Sequence, residues 1–444
     1  MIYSPAMNKK YTKIVATLGP ASSTTPVLES MISSGVNVAR LNFSHGDHKV
    51  HEESIKLFRK SAKKVGERVA ILQDLSGPKI RIGDFKDGSI VLEKGQIFTL
   101  TTEKILGDKN SVNINYEKLP REVKTGDSVM VFDGKIHLKV KSVSGNKVKC
   151  VVLEGGEISS RKGVNIPGAN LSIKTITEKD KKDVAFGVKN NVEFIALSFV
   201  RSAEDIKELR AILKKAKSRA MIIAKIETQE AVKNFDEILE EVDGVMVARG
   251  DLAVEIGAEN VPKIQKEIIT KCNRLGKPVI TATQMLDSME HSPVPTRAEV
   301  SDVANAILDG SDAVMLSGET ATGKFPVETI ETMARIAEAT ELSRTKRQFV
   351  HLEDSEDVID AVTLSAVRVA ETVKAKAVIA LTESGLTARM IGRFRAPYPI
   401  FAISPNEIAC NHLSLSYGVF PVKMICSKNV DVFTNQIRKF ALEN

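Results

Sequence analysis

Eight apolar runs of strand length recur along this chain, and amphipathic helical patterns separate most of them. They occupy residues 12–19, 37–46, 69–77, 193–200, 221–228, 243–251, 278–286 and 312–320. Continuous apolar strands alternating with helices indicate a parallel sheet buried on both faces. Eight of them favour a closed (β/α)8 barrel over an open doubly wound sheet. A second regularity supports closure. Nearly every run ends in polar or small residues: Thr17, Arg40 with Asn42 and Ser44, Asp74, Ser198, Lys225 with Glu227, Asp251, Thr283, and Ser317 with Glu319. Barrel enzymes place their chemistry at the carboxyl ends of the strands, where such residues converge.

The rhythm breaks between the third and fourth runs. Residues 84–161 alternate Val, Lys and Thr around the turn signals DGS, DGK and SGN, the pattern of a small all-β insertion. It leaves the barrel on the catalytic face, where a lid can close. A long helical pattern runs from Gly323 past Thr340, and the polar stretch 343–357 reads as a hinge. Beyond it, helix and strand patterns alternate again as a smaller α/β domain. The expected organisation is therefore barrel over 1–83, β lid over 84–161, barrel again over 162–341, and a C-terminal α/β regulatory-type domain over 342–444.

The 444 residues exceed one small domain, and 43% hydrophobic with 27% charged residues is ordinary for a soluble protein. The apolar runs are too short to span a membrane, and residues 1–10 are too short and polar for a secretory signal. Cys150, Cys272, Cys410 and Cys426 form no CxxC pair, which fits a reducing, cytoplasmic compartment and argues against structural zinc. A net charge of +7 admits nucleic acid, a membrane surface or anionic metabolites as partners. With no Trp and 5% aromatic residues, a stacking platform for single strands is disfavoured, and small anionic substrates account for the charge.

The stretch 221–251 carries the sharpest chemistry. Lys225 and Glu227 are two residues apart and face one way on a strand, with Asp251 at the end of the neighbouring one. One ammonium and two carboxylates suit a divalent cation and a phosphoryl group; a structural ion-pair cluster is the alternative. The segment Asp74-Leu-Ser-Gly-Pro-Lys79-Ile-Arg81 delivers two cations beside an acid, and arginine suits bidentate phosphate contact; a charged loop is the alternative. Other motifs fail. Gly318 to Lys324 approaches a P-loop, but Phe325 stands where the magnesium-holding hydroxyl is needed, and Pro326 follows. No GxGxxG or GxSxG exists. His45, His48 and His51 at i, i+3, i+6 do not converge on one ion and read as a solvated helical turn.

Together the motifs TKIVATLGPAS, ARLNFSHG, DLSGPKIRIG, KGVNIPGA, IALSFVRSAEDI, AKIETQEAV, MVARGDLAVEI, ITATQMLDSM and VMLSGETATGKFP resemble the pyruvate kinase family, in order, from Thr12 to about Val422. The resemblance implies a barrel with a β lid after its third strand, a C-terminal regulatory domain, and a homotetramer. It also implies phosphoryl transfer from phosphoenolpyruvate to ADP, the last step of glycolysis, with no nucleic acid or membrane partner. Carried over, it makes Glu227 and Asp251 ligands of Mg2+ or Mn2+, has Lys225 stabilise the phosphoryl group in flight, and has Arg40 help hold it. Gly250, Asp251 and Thr283 seat the substrate carboxylate. Asn42, Phe43, Ser44, His45, Arg81 and Lys162 contact nucleotide phosphates. Thr283, Ser317 and Glu319 lie where the enol is protonated.

Two departures stand out. Many family members read DTKGPEIR where this chain reads DLSGPKIR. A hydroxyl residue that ligates potassium in that pattern is here Leu75, and the acid is Lys79. Asn42, Ser44 and Asp74 still match potassium ligands. The expectation is that the Lys79 ammonium supplies the missing monovalent charge and makes potassium dispensable. The chain also ends short of the family's last strands. Thr382 to Thr387 resembles a phosphate cradle, but Glu383 would repel a phosphate, so activation by a sugar bisphosphate is not expected. Two other functions compete: a different magnesium-dependent barrel acting on phosphoenolpyruvate or pyruvate, opposed by Arg81 and Lys162, and a basic nucleic-acid-binding protein, opposed by the intact Lys225, Glu227, Asp251 and Thr283.

Overall fold

The computed structural model describes residues 10–343 and 357–443, apart from 170, 426, 428 and 429. Its centre is a closed barrel of eight parallel strands: β1 Lys13–Thr17, β2 Val38–Asn42, β3 Ala70–Asp74, β4 Phe194–Leu197, β5 Met221–Ile226, β6 Gly244–Ala248, β7 Val279–Ala282 and β8 Ala313–Leu316. Each pairs with its chain neighbours and β1 closes on β8. All eight expected strands are present. The apolar runs overshoot them at the carboxyl ends.

The two-residue period of a strand divides each one between two cores. Val15, Val38, Leu72, Phe194, Ile223, Met246, Ile280 and Met315 fill the barrel interior. Their neighbours Ile14, Leu41, Ile71, Ile195, Ile222, Val247 and Val314 pack outward among the surrounding helices. Continuing the inner parity, through Ala196 on β4, gives Thr17, Arg40, Asp74, Ser198 and Lys225. The sequence alternation thus places these polar side chains as the top layer of the interior, where burial demands that they pair with one another.

The β insertion has its own core. Strands Ser128–Val131, Ile136–Ser144, Lys147–Glu154, Ile97–Thr101 and Ser111–Asn113 form a sheet with Val164–Asn165, and Ser89–Leu92 pairs with Gly156–Ser159. Its buried side chains run from Ile80 and Ile82 to Val164 and Ile166, so the packed unit extends beyond the expected 84–161 on both sides. Leu119–Glu122 adds one helical turn to the expected all-β texture.

The C-terminal domain carries the parallel strands β9 Val378–Leu381, β10 Ile400–Ser404 and β11 Val419–Lys423, with helices Val358–Thr372 and Val430–Glu443. Most of the expected hinge at 343–357, and Cys426, lie outside the described residues. The domain seals the amino-terminal end of the barrel, with Leu415 plugging the interior. Arg395 clamps the joint: its guanidinium donates to Asp312 at 2.8 and 3.1 Å and to Asn273 Oδ1 at 2.6 Å. Asp312 also accepts the backbone N–H groups of Tyr417 at 2.9 Å and Val279 at 3.1 Å.

Lys13 is buried in the same joint. Its ammonium donates to the Val419 carbonyl at 2.7 Å and lies 4.5 Å over the Phe420 ring, with no carboxylate in ion-pair contact among the described residues. Burial lowers its pKa from 10.5 to about 7, and the nearby Lys10 adds to the effect. Between those values the unfolded chain holds a proton on this group that the folded chain has released. Its contribution to stability therefore rises with pH from about 7 to about 10.5 and is least favourable below 7. Lys13→Met is expected to flatten that rise, read as the urea midpoint at pH 7 and pH 9. An unchanged pH slope would refute it.

Candidate active site

The inner top layer of the barrel forms one charge network. Lys225, near the end of β5, places its Nζ 2.9 Å from Glu227 Oε1, 3.2 Å from Asp74 Oδ1 and 2.7 Å from Ser198 Oγ. The Ser198 hydroxyl donates in turn to the Leu75 carbonyl at 2.6 Å. Arg40, on β2, donates from Nε to Asp74 Oδ2 at 2.7 Å and from a terminal nitrogen to Thr17 Oγ1 at 3.0 Å. Glu227 follows β5 by one residue, and its Oε2 accepts the Phe199 N–H at 2.8 Å. Phe199 holds a left-handed φ of 53°, an uncommon conformation for a bulky residue, which aims that amide at the carboxylate.

The electrostatics follow from burial and pairing. Desolvation alone would lower the Lys225 pKa, but Asp74 and Glu227 hold it above its ordinary value, so it stays charged. Desolvation would raise Asp74, yet Lys225 and Arg40 keep it below the usual carboxylate range. Glu227 differs. Burial pushes its pKa up, Lys225 opposes that only in part, and the neighbouring Asp251 adds to the rise. Two carboxylates that repel each other beside one lysine are short of positive charge.

Asp251 corrects an expectation. It sits in the first turn of the helix Arg249–Ile256, not on the strand, because the chain leaves β6 at Ala248. Among the described residues its carboxylate has no hydrogen-bond or ion-pair partner, and it lines a cavity of about 950 Å3 between barrel and lid. Gly250, Thr283, Ser317 and Glu319 line the same cavity from the barrel; Asp127, Ser128, Asp133 and Gly134 line it from the lid. Thr283 Oγ1 accepts the Gly250 N–H at 2.9 Å. Glu319 is buried, which raises its pKa although it accepts the N–H groups of Ser317 at 2.7 Å and Leu286 at 3.2 Å.

The backbone at Thr283 and the brace that holds it went unread in the sequence. Thr283 and Gln284 have φ of 72° and 53°. Arg249 braces them: Nε donates to the Ala282 carbonyl at 3.2 Å, Nη2 to the Thr283 carbonyl at 2.6 Å, and Asp302 anchors the guanidinium at 2.7 Å. Left-handed backbone at non-glycine residues has no sequence signature, so only the position of Arg249 beside Gly250 hinted at a role.

The remaining expected residues divide. Arg81 and Lys162 meet at the lid hinge, where Ile82 N–H donates to the Lys162 carbonyl at 3.0 Å and Arg81 donates to the Arg161 carbonyl at 3.0 Å. The Lys162 ammonium lies 4.3 Å over the Phe132 ring. Asn42 Oδ1 accepts the Ser44 N–H at 3.1 Å, and His45 is exposed beside it. The Phe43 side chain is buried, stacked on His51 at 4.1 Å, so only its backbone faces the loop. His51 is therefore packed rather than solvated, and His48 pairs with Asp183 at 2.7 Å. Lys79 makes no ion pair among the described residues; its stem lies against Gly163 at the lid hinge, not among Asn42, Ser44 and Asp74. Leu75 is buried in the core. Around Gly318 the near-P-loop packs too tightly for a cradle, since a side chain there would strike Glu290. In the Thr382–Thr387 loop, the Gly385 N–H is already taken by Thr382 Oγ1 at 2.9 Å.

A lidded eightfold barrel with a lysine and two carboxylates at the mouth of its strands defines a phosphotransferase of the barrel class. Family models agree: "Pyruvate kinase, barrel domain" matches residues 9–330 and "Pyruvate kinase, alpha/beta domain" matches 360–444. A pyruvate kinase of Staphylococcus aureus is 46% identical over 97% of this chain and 75% of its own length, and one of Staphylococcus epidermidis is 45% identical over the same shares. The crystal structure of a pyruvate kinase from Cryptosporidium parvum superposes with a TM-score of 0.93 at 38% identity, covering 100% of this chain and 93% of that one. The chain belongs to the pyruvate kinase family. Its reaction is the transfer of a phosphoryl group from phosphoenolpyruvate to ADP, giving pyruvate and ATP.

Proposed function

We propose that the Lys225–Glu227–Asp251 cluster is where this transfer occurs, and that Arg40, Gly250, Asp251 and Thr283 hold phosphoenolpyruvate. The observation that carries the reading is the Asp251 carboxylate, without a partner among the described residues and lining the cavity, near a Glu227 whose charge Lys225 compensates only in part. An Asp251 carboxylate with open space around it, and the buried Glu227 near it, suit magnesium, which takes few protein ligands and completes its octahedron with waters and substrate oxygens. When bound there by Glu227 and Asp251, the ion supplies Lewis-acid neutralisation of phosphoryl oxygens. The protein's own part is positioning. Lys225, held by Asp74, Glu227 and Ser198, presents a fixed positive charge to the equatorial oxygens as the phosphoryl group passes. Arg40 neutralises the same group from the other side. The Asp251 amide at the helix start, with the Thr283 hydroxyl that the Gly250 N–H orients at 2.9 Å, seats the carboxylate. Arg81, Lys162 and the Asn42–His45 loop meet the nucleotide phosphates as the lid closes. Ser317 and Glu319 border the space in which the enol is protonated.

Relatives of this chain generally use potassium as well as magnesium. We read this chain as independent of potassium. Asp74 already receives Arg40 and Lys225, and Leu75 contributes no side-chain ligand. Lys79, at the lid hinge, supplies the monovalent charge only by swinging inward on closure. Pyruvate formation measured with magnesium and potassium varied independently tests both points. Activity is expected to vanish without a divalent ion and to change less than about twofold with potassium. Many-fold activation by potassium would overturn the second reading; turnover without magnesium or manganese would overturn the first.

The assembly read for this chain is a cytoplasmic homotetramer. Its support is the helix Val358–Thr372, which leaves Val358, Val362 and Val369 at 73%, 60% and 60% exposure, an apolar stripe suited to a second copy. Cys150, Cys272 and Cys410 are free, in keeping with a reducing compartment. No described helix is long and apolar enough to cross a membrane.

A further inference from the structure

Thr283 is held in a conformation that its side chain disfavours. Its φ of 72° makes it the only β-branched residue with left-handed backbone among the described residues, and Gln284 follows at 53°. A branched Cβ crowds its own backbone there, so the conformation persists only where the surroundings impose it. Two such residues in succession compound the cost.

Arg249 supplies the constraint. Its guanidinium donates to three successive carbonyls, Ala282 at 3.2 Å, Thr283 at 2.6 Å and Gln284 at 3.4 Å. Among the described residues no other group donates to the Thr283 or Gln284 carbonyl. Asp302, on the helix Arg297–Leu308, anchors the guanidinium at 2.7 and 2.8 Å. The Thr283 hydroxyl is part of the same knot. It donates to the Ala282 carbonyl at 2.6 Å and accepts the Gly250 N–H at 2.9 Å. Arg249 and Gly250 are consecutive at the start of the helix Arg249–Ile256. The helix start and the end of β7 are therefore tied twice, through backbone carbonyls and through the hydroxyl. Gly250, Asp251 and Thr283 line the reaction cavity, whereas Arg249 does not. Arg249 can act on a substrate only through the residues it holds.

We propose that Arg249 is a positioning residue for phosphoenolpyruvate: it imposes the left-handed backbone of Thr283 and so fixes the hydroxyl in the seat of the substrate carboxylate. This rests on the reading of the Thr283 hydroxyl and Asp251 amide as that seat. A planar fork meets several carbonyls and a carboxylate at once, which a lysine ammonium does not reproduce. Without the fork, Thr283 relaxes towards extended backbone and its Oγ1 turns out of the seat. The loss falls on substrate binding, because the Arg249 charge is paired with Asp302 and faces away from the cavity.

Steady-state kinetics on a small set of variants tests this. Arg249→Met is expected to raise KM for phosphoenolpyruvate about tenfold or more, with KM for ADP changed less than about twofold. Arg249→Lys, which keeps the charge but not the fork, should raise it about fivefold. Gln284 also lines the cavity, but its side chain is exposed and makes no hydrogen bond among the described residues. Gln284→Gly alone should therefore stay near the parent. Combined with Arg249→Met, it should bring KM for phosphoenolpyruvate back down about fivefold, since glycine takes left-handed backbone without a side-chain clash. A general loosening of the barrel would move both KM values, and glycine would not mend it. Should Arg249→Met fail to fold by circular dichroism, Arg249→Lys with and without Gln284→Gly carries the same comparison. Thr283→Ala separates the brace from the seat. If Thr283→Ala raises KM for phosphoenolpyruvate and Arg249→Met does not, the seat stands and the brace is refuted. If Thr283→Ala leaves that KM unchanged, the seat fails and the brace falls with it. Equal rises in both KM values, a parent-like Arg249→Lys, or no recovery with Gln284→Gly would also overturn the proposal.

Discussion

Lys225→Met is expected to lower kcat by about 10³-fold, with a much smaller change in KM for phosphoenolpyruvate. The residue donates to three oxygens at the carboxyl ends of three strands, and its charge is locked on by two carboxylates. Such a group gains most when negative charge spreads over a phosphoryl group in transit, and little in the ground state, where Arg40 and the Gly250–Thr283 seat do the binding. A loss confined to kcat marks a transition-state role; a loss confined to KM marks simple binding. Because Asp74 and Glu227 raise the Lys225 pKa above its ordinary value, no basic limb from this residue should appear in the kcat profile below about pH 10. A variant retaining kcat within tenfold of the parent would remove Lys225 from the chemistry and return the cluster to a structural ion pair. Circular dichroism decides whether the variant is folded, since Asp74 keeps Arg40 as a partner.

Arg395→Met is expected to cost about 3–5 kcal/mol of stability. The loss comes from the acid left behind. Asp312 is buried at the foot of β8, and without the guanidinium it keeps two backbone N–H donors but no positive charge. Pairing the change with Asp312→Asn removes the stranded charge but keeps an acceptor for only one of the Tyr417 and Val279 N–H groups, so the double variant should recover no more than about half of the loss. Urea unfolding of the four proteins in the cycle measures both numbers. A single-variant cost below 1 kcal/mol would show that the joint does not depend on this clamp. The site at the other end of the barrel should keep its kcat at temperatures where the variant remains folded.

Legibility from sequence was uneven for identifiable reasons. The eight strands were readable because a parallel barrel buries both faces and so writes long apolar runs. Lys225 and Glu227 were readable as partners because a two-residue spacing on a strand leaves no other arrangement, and they meet at 2.9 Å. Asp251 was misplaced because the polar residues ending β6 look alike whether they extend a strand or open a helix. Lys79 was assigned by position in a motif, whereas the side chain's direction depends on how the lid hinge passes Gly163. His51 was read as solvated because Phe43 and Phe186, which make its surroundings apolar, lie on other elements.

The alternation of apolar and polar residues by itself determined that the chain forms a barrel, that a β domain interrupts it, and that Thr17, Arg40, Asp74, Ser198 and Lys225 continue its inner face. These are local facts, set by strand period and turn chemistry. Pairing was decided only by the tertiary structure. Closing β1 against β8 brings Arg40, Asp74 and Lys225 from three strands into one network, and it is this enclosure from water that shifts their charges. The Arg249 brace on Thr283 and the left-handed amide of Phe199 arise in the same way. Each depends on distances between residues far apart in the chain, and no local pattern encodes those distances.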